Sequence, residues 1–142
     1  MLKELAEKAK KIDVKEIALR IAQQNSELIL NSVKGQLARG IAADGARVGR
    51  YRSKPYSIMK AKISRAPFGV ADLKLTGQLY ENMYAEIKTD SFTVDSDVPY
   101  SLDNKQRYGE ERIYGLTKDN QTTVRDKNSV DIVKEYSNQL GL

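Results

Sequence analysis

Residues 84–97 read "YAEIKTDSFTVDSD", and the class of the fold turns on them. Ala85 and Ile87 are opposed to Glu86 and Lys88, and Phe92 and Val94 to Thr93 and Asp95, with the turn-forming "TDS" between the two runs. A period of two on either side of a turn predicts an antiparallel hairpin, about 84–96, with one wet face. The other strong patterns read as helix, so this hairpin makes the chain α+β rather than all-α. Just upstream, "DLKLTGQLYENM" places Thr76 as an N-cap, with Gly77 and Gln78 opening a short helix and Leu79, Tyr80 and Met83 turned inward.

Further upstream, "DVKEIALRIAQQNSELILNSVKGQLARG" (13–40) predicts one long N-terminal helix. Asp13 is placed to cap the amide of Glu16, no proline interrupts before Arg39, and Gly40 offers a stop. At 100° per residue the apolar side chains, among them Ile17, Ile21, Leu28, Ile29, Val33 and Leu37, cover more than half the circumference. A surface helix needs a stripe only about 100° wide, so this one requires more than one neighbour. Residues 1–12, rich in Lys and Ala, read as an N-terminal arm or short helix.

Between helix and hairpin lies "GIAADGARVGRYRSKPYS" (40–57). Its glycines allow turns, its periodicity is nil, and Pro55 argues against a regular helix across it, so 40–57 reads as a long basic loop. "SIMKAKISRAPFG" has room for one short helix before Pro67. After the hairpin, "YSLDNKQRYG" reads as a short helix closed by Gly109. "IYGLT" then leads into a C-terminal helix from about Thr117 or Asn120 to Leu140 that carries Val124, Val130, Ile132, Val133, Tyr136 and Leu140. With 142 residues the chain suits a single domain, 1–142.

Charge divides unevenly along that domain. Residues 34–65 hold nine lysines and arginines against Asp44 alone, whereas 66–142 hold nine against thirteen aspartates and glutamates. A basic middle joined to an acidic C-terminal half suits a nucleic-acid surface, or a molecule that meets copies of itself positive face to negative. The candidate contact residues are Arg39, Arg47, Arg50, Tyr51, Arg52, Lys54, Tyr56, Lys60, Lys62 and Arg65. Interleaved cations and tyrosines are the types that contact phosphates and stack on bases, which makes a small nucleic-acid-binding protein using 39–65 the alternative reading. Size and charge alone also fit a toxin–antitoxin or regulatory partner protein.

Enzyme chemistry finds little footing in this composition. There is no cysteine and no histidine, which removes thiolate nucleophiles, disulfides and the usual zinc ligands. "GARVG" lacks the preceding strand and the Lys-Ser/Thr ending of a phosphate cradle, and Asp95 with Asp97 reads as solvated hairpin edge rather than a Mg²⁺ site. The expectation is a non-enzyme without cofactor or metal. "MLKELAEKAKK" has no apolar core of a signal peptide, and no run approaches the roughly 20 apolar residues that span a bilayer, so synthesis in the cytoplasm and no membrane partner are expected.

The order of motifs resembles a group of tailed-bacteriophage virion proteins, the small head-to-tail connector, tail-completion or neck-ring proteins. Three features carry the resemblance. A helix ends in a G-I-x-x-x-G turn followed by a tyrosine, here Gly40, Ile41, Gly45 and Tyr51. An L-T-G-x-L/F-Y motif falls on Leu75, Thr76, Gly77, Leu79 and Tyr80, and a late Y-G … I-x-G-L on Tyr108, Gly109, Ile113, Gly115 and Leu116. The likeness spans roughly 35–120, omits the first dozen residues and the last helix, and does not extend to the arginine density of 47–52. It implies a non-enzymatic structural protein of the virion, made in the bacterial host cytoplasm and forming a homo-oligomeric ring. Its partners would be the portal and other neck or tail proteins, with DNA in the channel as a further contact. In such a ring the 40–57 loop would reach beyond the body and order on assembly.

Overall fold

The computed structural model describes residues 1–74, 77–88 and 91–142, and every structural statement below concerns those residues. The element order is α1 (Leu2–Lys11), α2 (Val14–Gln24), α3 (Ser26–Ala38), α4 (Lys54–Ala61), α5 (Gln78–Glu81), β1 (Met83–Ile87), β2 (Phe92–Ser96), α6 (Ser101–Tyr108), α7 (Glu110–Tyr114) and α8 (Lys118–Leu140). The class is α+β. Strands β1 and β2 pair antiparallel, with Met83 opposite Ser96, Ala85 opposite Val94 and Ile87 opposite Phe92. The expected cap residue Thr76 and part of the "TDS" turn, Thr89 and Asp90, lie outside the described residues.

The long N-terminal helix is present but divided. Asp13 caps it as expected, its carboxylate accepting from the Glu16 N–H at 3.2 Å. The division falls at Asn25, where the backbone leaves helical geometry between α2 and α3. Its side-chain amide donates to Asn128 Oδ1 and Asp131 Oδ2 on α8, both at 2.9 Å. The partners that draw Asn25 aside belong to a helix a hundred residues later, which is why local periodicity runs through the break.

Helix α3 is the axis of the core. Ile29, Leu30, Val33 and Leu37 are buried among Ala42, Val48, Leu79, Met83, Val94, Ile113, Leu116 and Val124. Burying each such aliphatic side chain contributes about 1.5–3 kcal/mol. Helix α3 packs on β1, α7 and α8, and α2 packs on α8 and β1, so the wide apolar arc does meet several neighbours. Helix α8 opens with Thr117, whose hydroxyl accepts from the Asn120 N–H. Buried Gln36 of α3 ties that end down: its Nε2 donates to the Gly115 carbonyl at 2.9 Å, and its Oε1 accepts from the Thr117 N–H at 2.9 Å and from Asn120 Nδ2 at 2.6 Å. Beyond Val124 the helix is held to α2 by polar contacts, including Arg20 with Glu135 at 2.9 Å, and it leaves Val130 and Val133 exposed. Helix α7, a turn and a half between Gly109 and Gly115, was not expected from the sequence.

Candidate functional site

After α3, residues 39–53 form a loop without helix or strand, bonded back at several points onto the body. Gly40 sits at φ 73°, where the Gly40 N–H donates to the Leu37 carbonyl and the Ile41 N–H to the Gln36 carbonyl, both at 2.9 Å. This is a Schellman stop, and a Cβ on Gly40 would lie 2.5 Å from Val70 Cγ1. The chain then doubles back: Ala42 N–H donates to the Ala46 carbonyl and Val48 N–H to the Gly40 carbonyl, both at 2.8 Å, around a turn that contains Gly45. The guanidinium of Arg112 clamps the whole turn. Its Nε donates to Asp44 Oδ2 at 2.9 Å, and its terminal nitrogens to the carbonyls of Arg47 (2.7 Å), Val48 (3.1 Å) and Tyr108 (3.1 Å). The Ala46 amide and then Arg112 hold the Asp44 carboxyl below its ordinary pKa.

The next stretch is pinned by a buried carboxylate. Asp72 faces Lys60 Nζ at 2.6 Å, and both side chains are almost wholly buried. Asp72 also accepts from the Tyr51 hydroxyl (3.2 Å), the Ser64 hydroxyl (2.8 Å) and the Lys74 N–H (3.0 Å), while its own carbonyl accepts from the Tyr80 hydroxyl at 2.5 Å. Lys60 Nζ donates in addition to the Lys74 carbonyl. Burial pushes the Asp72 carboxyl up, but the bonds from Lys60, Lys74 and Ser64 prevail and hold it below the usual carboxylate range. Burial raises the phenols of Tyr51 and Tyr80, so both remain neutral donors at physiological pH.

Lys60 is therefore withdrawn from the candidate contact surface, because Asp72 holds its ammonium inside. The loop is also shorter than expected, since residues 54–57 belong to α4. Pro55 sits in the first turn of that helix, where no intrahelical N–H is needed, behind Ser53, whose hydroxyl caps the Tyr56 N–H. Arg39, Arg47, Arg50, Arg52, Lys54, Lys62 and Arg65 are exposed, and Tyr51 and Tyr56 are half-buried in an edge-to-face pair with centroids 4.7 Å apart.

Two clefts flank this pair. The larger, about 680 Å³, brings Tyr51, Arg52 and Tyr56 together with Lys74 and with Tyr100, Arg107 and Tyr108 of the α6 region. The smaller, about 230 Å³, joins Arg50, Arg52 and Lys54 to Phe68. Neither is lined by a carboxylate. Arg39 and Arg47 lie apart from both. The residues that sequence reasoning missed are Lys74, Tyr100, Asn104 and Arg107. Tyr100, Asn104, Arg107 and Tyr108 fall at i, i+4, i+7 and i+8, a one-face helical spacing that could have revealed them.

The expected solvated edge at Asp95 is instead engaged: Lys105 Nζ donates to it at 2.8 Å and the Ser101 hydroxyl at 2.9 Å. Among the described residues no group of three or more His, Cys, Asp or Glu side chains is placed to hold a metal ion, and no helix is long and apolar enough to cross a membrane.

Two of the three motif-bearing segments quoted above, 40–51 and 108–116, meet in space, whereas Leu75 and Thr76 of the third lie outside the described residues. A Cβ on Gly49, inside the basic turn, would lie 2.7 Å from the Tyr108 ring, and one on Gly115 would lie 2.9 Å from Ala43 Cβ. Ala43 N–H donates to the Arg112 carbonyl at 2.8 Å. The turn at 40–51 and the segment 108–116 are thus two halves of one joint, with Ile113, Tyr114 and Leu116 in the core beneath it. Comparison with protein-family models, with curated proteins and with solved structures yields no match.

Proposed function

We propose that this chain is a non-enzymatic structural subunit of the head-to-tail joint of a tailed phage, forming a ring that bridges the portal and tail components. The observation that carries the reading is the joint itself. Two segments some sixty residues apart, each carrying a motif on which the resemblance to the connector group rests, pack against each other through Gly49 on Tyr108 and Gly115 on Ala43. Motifs that each support the same joint are expected to occur together in one order along a chain, so their co-occurrence here is physically coherent. The segregation of basic and acidic halves suits subunits that meet head to tail around a closed ring.

A second reading, nucleic-acid binding, is favoured by the larger cleft, where four tyrosines and three cations converge without a carboxylate on the lining. One experiment separates the two. Light scattering after size exclusion, at low and high salt and with and without a DNA duplex, should give a ring mass indifferent to DNA if the connector reading holds. A monomer that shifts on DNA and is released steeply by salt would overturn it in favour of the second.

A further inference from the structure

Helix α4 is inverted relative to an ordinary surface helix. It turns Ser57 and Lys60 into the body, at 4% and 2% exposure, and presents Ile58 and Met59 outward at 49% and 41%. Ile63 and Phe68, just beyond it, are 63% and 56% exposed. A helix at a water-facing surface places its apolar stripe inward. Here the demand of buried Asp72 for Lys60 fixes the rotation of α4, and the apolar face is left outside as a consequence. The same stretch of chain is cationic: Arg52, Lys54, Lys62 and Arg65 are exposed, and no aspartate or glutamate occurs between Asp44 and Asp72. An exposed apolar patch beside polar groups marks a contact surface.

Its complement is present on the same chain. A cleft of about 700 Å³ has half-buried Phe92 on its apolar wall, over the core residues Val94, Tyr114 and Leu116 at its floor, and Asp44, Glu110 and Glu111 among its polar lining. Its single lining cation, Arg112, is already committed to Asp44, and Glu110 stands 3.9 Å from Lys105. Glu110 and Glu111 thus leave negative charge beside an apolar wall, the reverse of the cationic stretch that carries α4. The α4 face and this cleft share no residue, so one copy can offer both at once.

We propose, building on the ring reading above, that the outward residues of α4, Ile58 and Met59, together with exposed Ile63 and Phe68 of the segment that follows it, dock into the Glu110–Glu111 cleft of a second copy of this chain. Charge selects the head-to-tail arrangement. Two α4 faces brought together would set Arg52, Lys54, Lys62 and Arg65 against their own equivalents, whereas face on cleft sets them against carboxylates. Because the two surfaces differ, each copy can bind one neighbour on either side, and closure then depends on the angle between successive copies.

The test uses two full-length variants, I58E/I63E, which spoils the face, and E110K/E111K, which spoils the cleft. All four positions are exposed, so thermal melts should show both variants folded, with E110K/E111K lowered slightly by loss of the Glu110–Lys105 approach. By light scattering over a concentration series at low salt, the unchanged protein should self-associate and each variant alone should remain monomeric. An equimolar mixture of the two should give a species of twice the monomer mass and no larger, because only one intact face and one intact cleft remain. If the variants assemble like the unchanged protein, or if both are monomeric and the mixture stays monomeric, the docking is wrong while the ring reading stands. An unchanged protein that is monomeric at every concentration would overturn the self-assembling ring and the docking with it.

Discussion

Replacing Asp72 by asparagine keeps the shape of the buried hub and removes its charge. The Asn carbonyl oxygen can still accept from Tyr51 and from the Lys74 N–H, and the Ser64 hydroxyl, which donates to Oδ2, must turn to accept from the new NH₂, so the main loss is the ion pair with Lys60. At 2.6 Å and an effective dielectric of about 20, the lost attraction is roughly 6 kcal/mol before solvation is counted. Lys60 recovers part of that through the Lys74 carbonyl and local relaxation. Breaking a buried pair by removing one partner typically costs about 3–5 kcal/mol, and that is the expected loss for D72N at neutral pH. In a chain of 142 residues this lowers Tm by about 10–15 °C. The double variant K60M/D72N, which leaves no buried charge, should regain most of the loss. The sign with pH follows from the depressed carboxyl: its stabilisation is present above the unfolded pKa of about 3.9 and is lost as pH falls through the lower folded value. The gap between the unchanged protein and D72N should therefore close from pH 4 downward. Thermal and urea melts by circular dichroism read all of this. A D72N variant less than about 3 °C less stable at pH 7, or a double variant no better than the single, would refute a charge-paired Lys60.

Gly40→Ala should destabilise by about 2–4 kcal/mol, combining the cost of positive φ with overpacking against Val70, and urea melts should show it without change in the strand signal. Thr117→Ala removes the cap of α8 and should cost about 1 kcal/mol, a drop of a few degrees in Tm. Asn25→Ala deletes both contacts to Asn128 and Asp131. Amides in the second half of α8 should then exchange faster with solvent while those of α3 stay protected; equal change in both would mean that the contacts stabilise the whole domain rather than the α2–α8 seam.

What could be read from the chain alone follows the range of the interactions involved. The hairpin was readable because alternation is local, and the start at Asp13 was readable because a cap is satisfied within three residues, while the start of the last helix was readable only as about Thr117 or Asn120. The burial of Lys60 was not, because its partner is twelve positions away and the apolar residues beside it suggest the opposite face. The division at Asn25 and the clamp by Arg112 likewise depend on partners more than sixty residues distant. Of the candidate site, the arginines and tyrosines of 50–56 were readable as a cluster. The α6 wall that completes the cleft was readable only as one helix face, since nothing local places Tyr100 or Arg107 beside Tyr51.

The Gln36 carboxamide has a different kind of consequence. Its three bonds join α3 to the start of α8 without any ionisable partner, so acid that loosens the Asp72 hub has no direct purchase on this one. Its side-chain NH₂ is buried and engaged, so its two protons should stand out in a nitrogen-resolved proton spectrum as a glutamine pair that trades slowly with deuterium. In nitrogen-15-enriched protein the chain thus carries its own spectroscopic marker for whether the root of its last helix is seated, and no reporter group need be attached to read it.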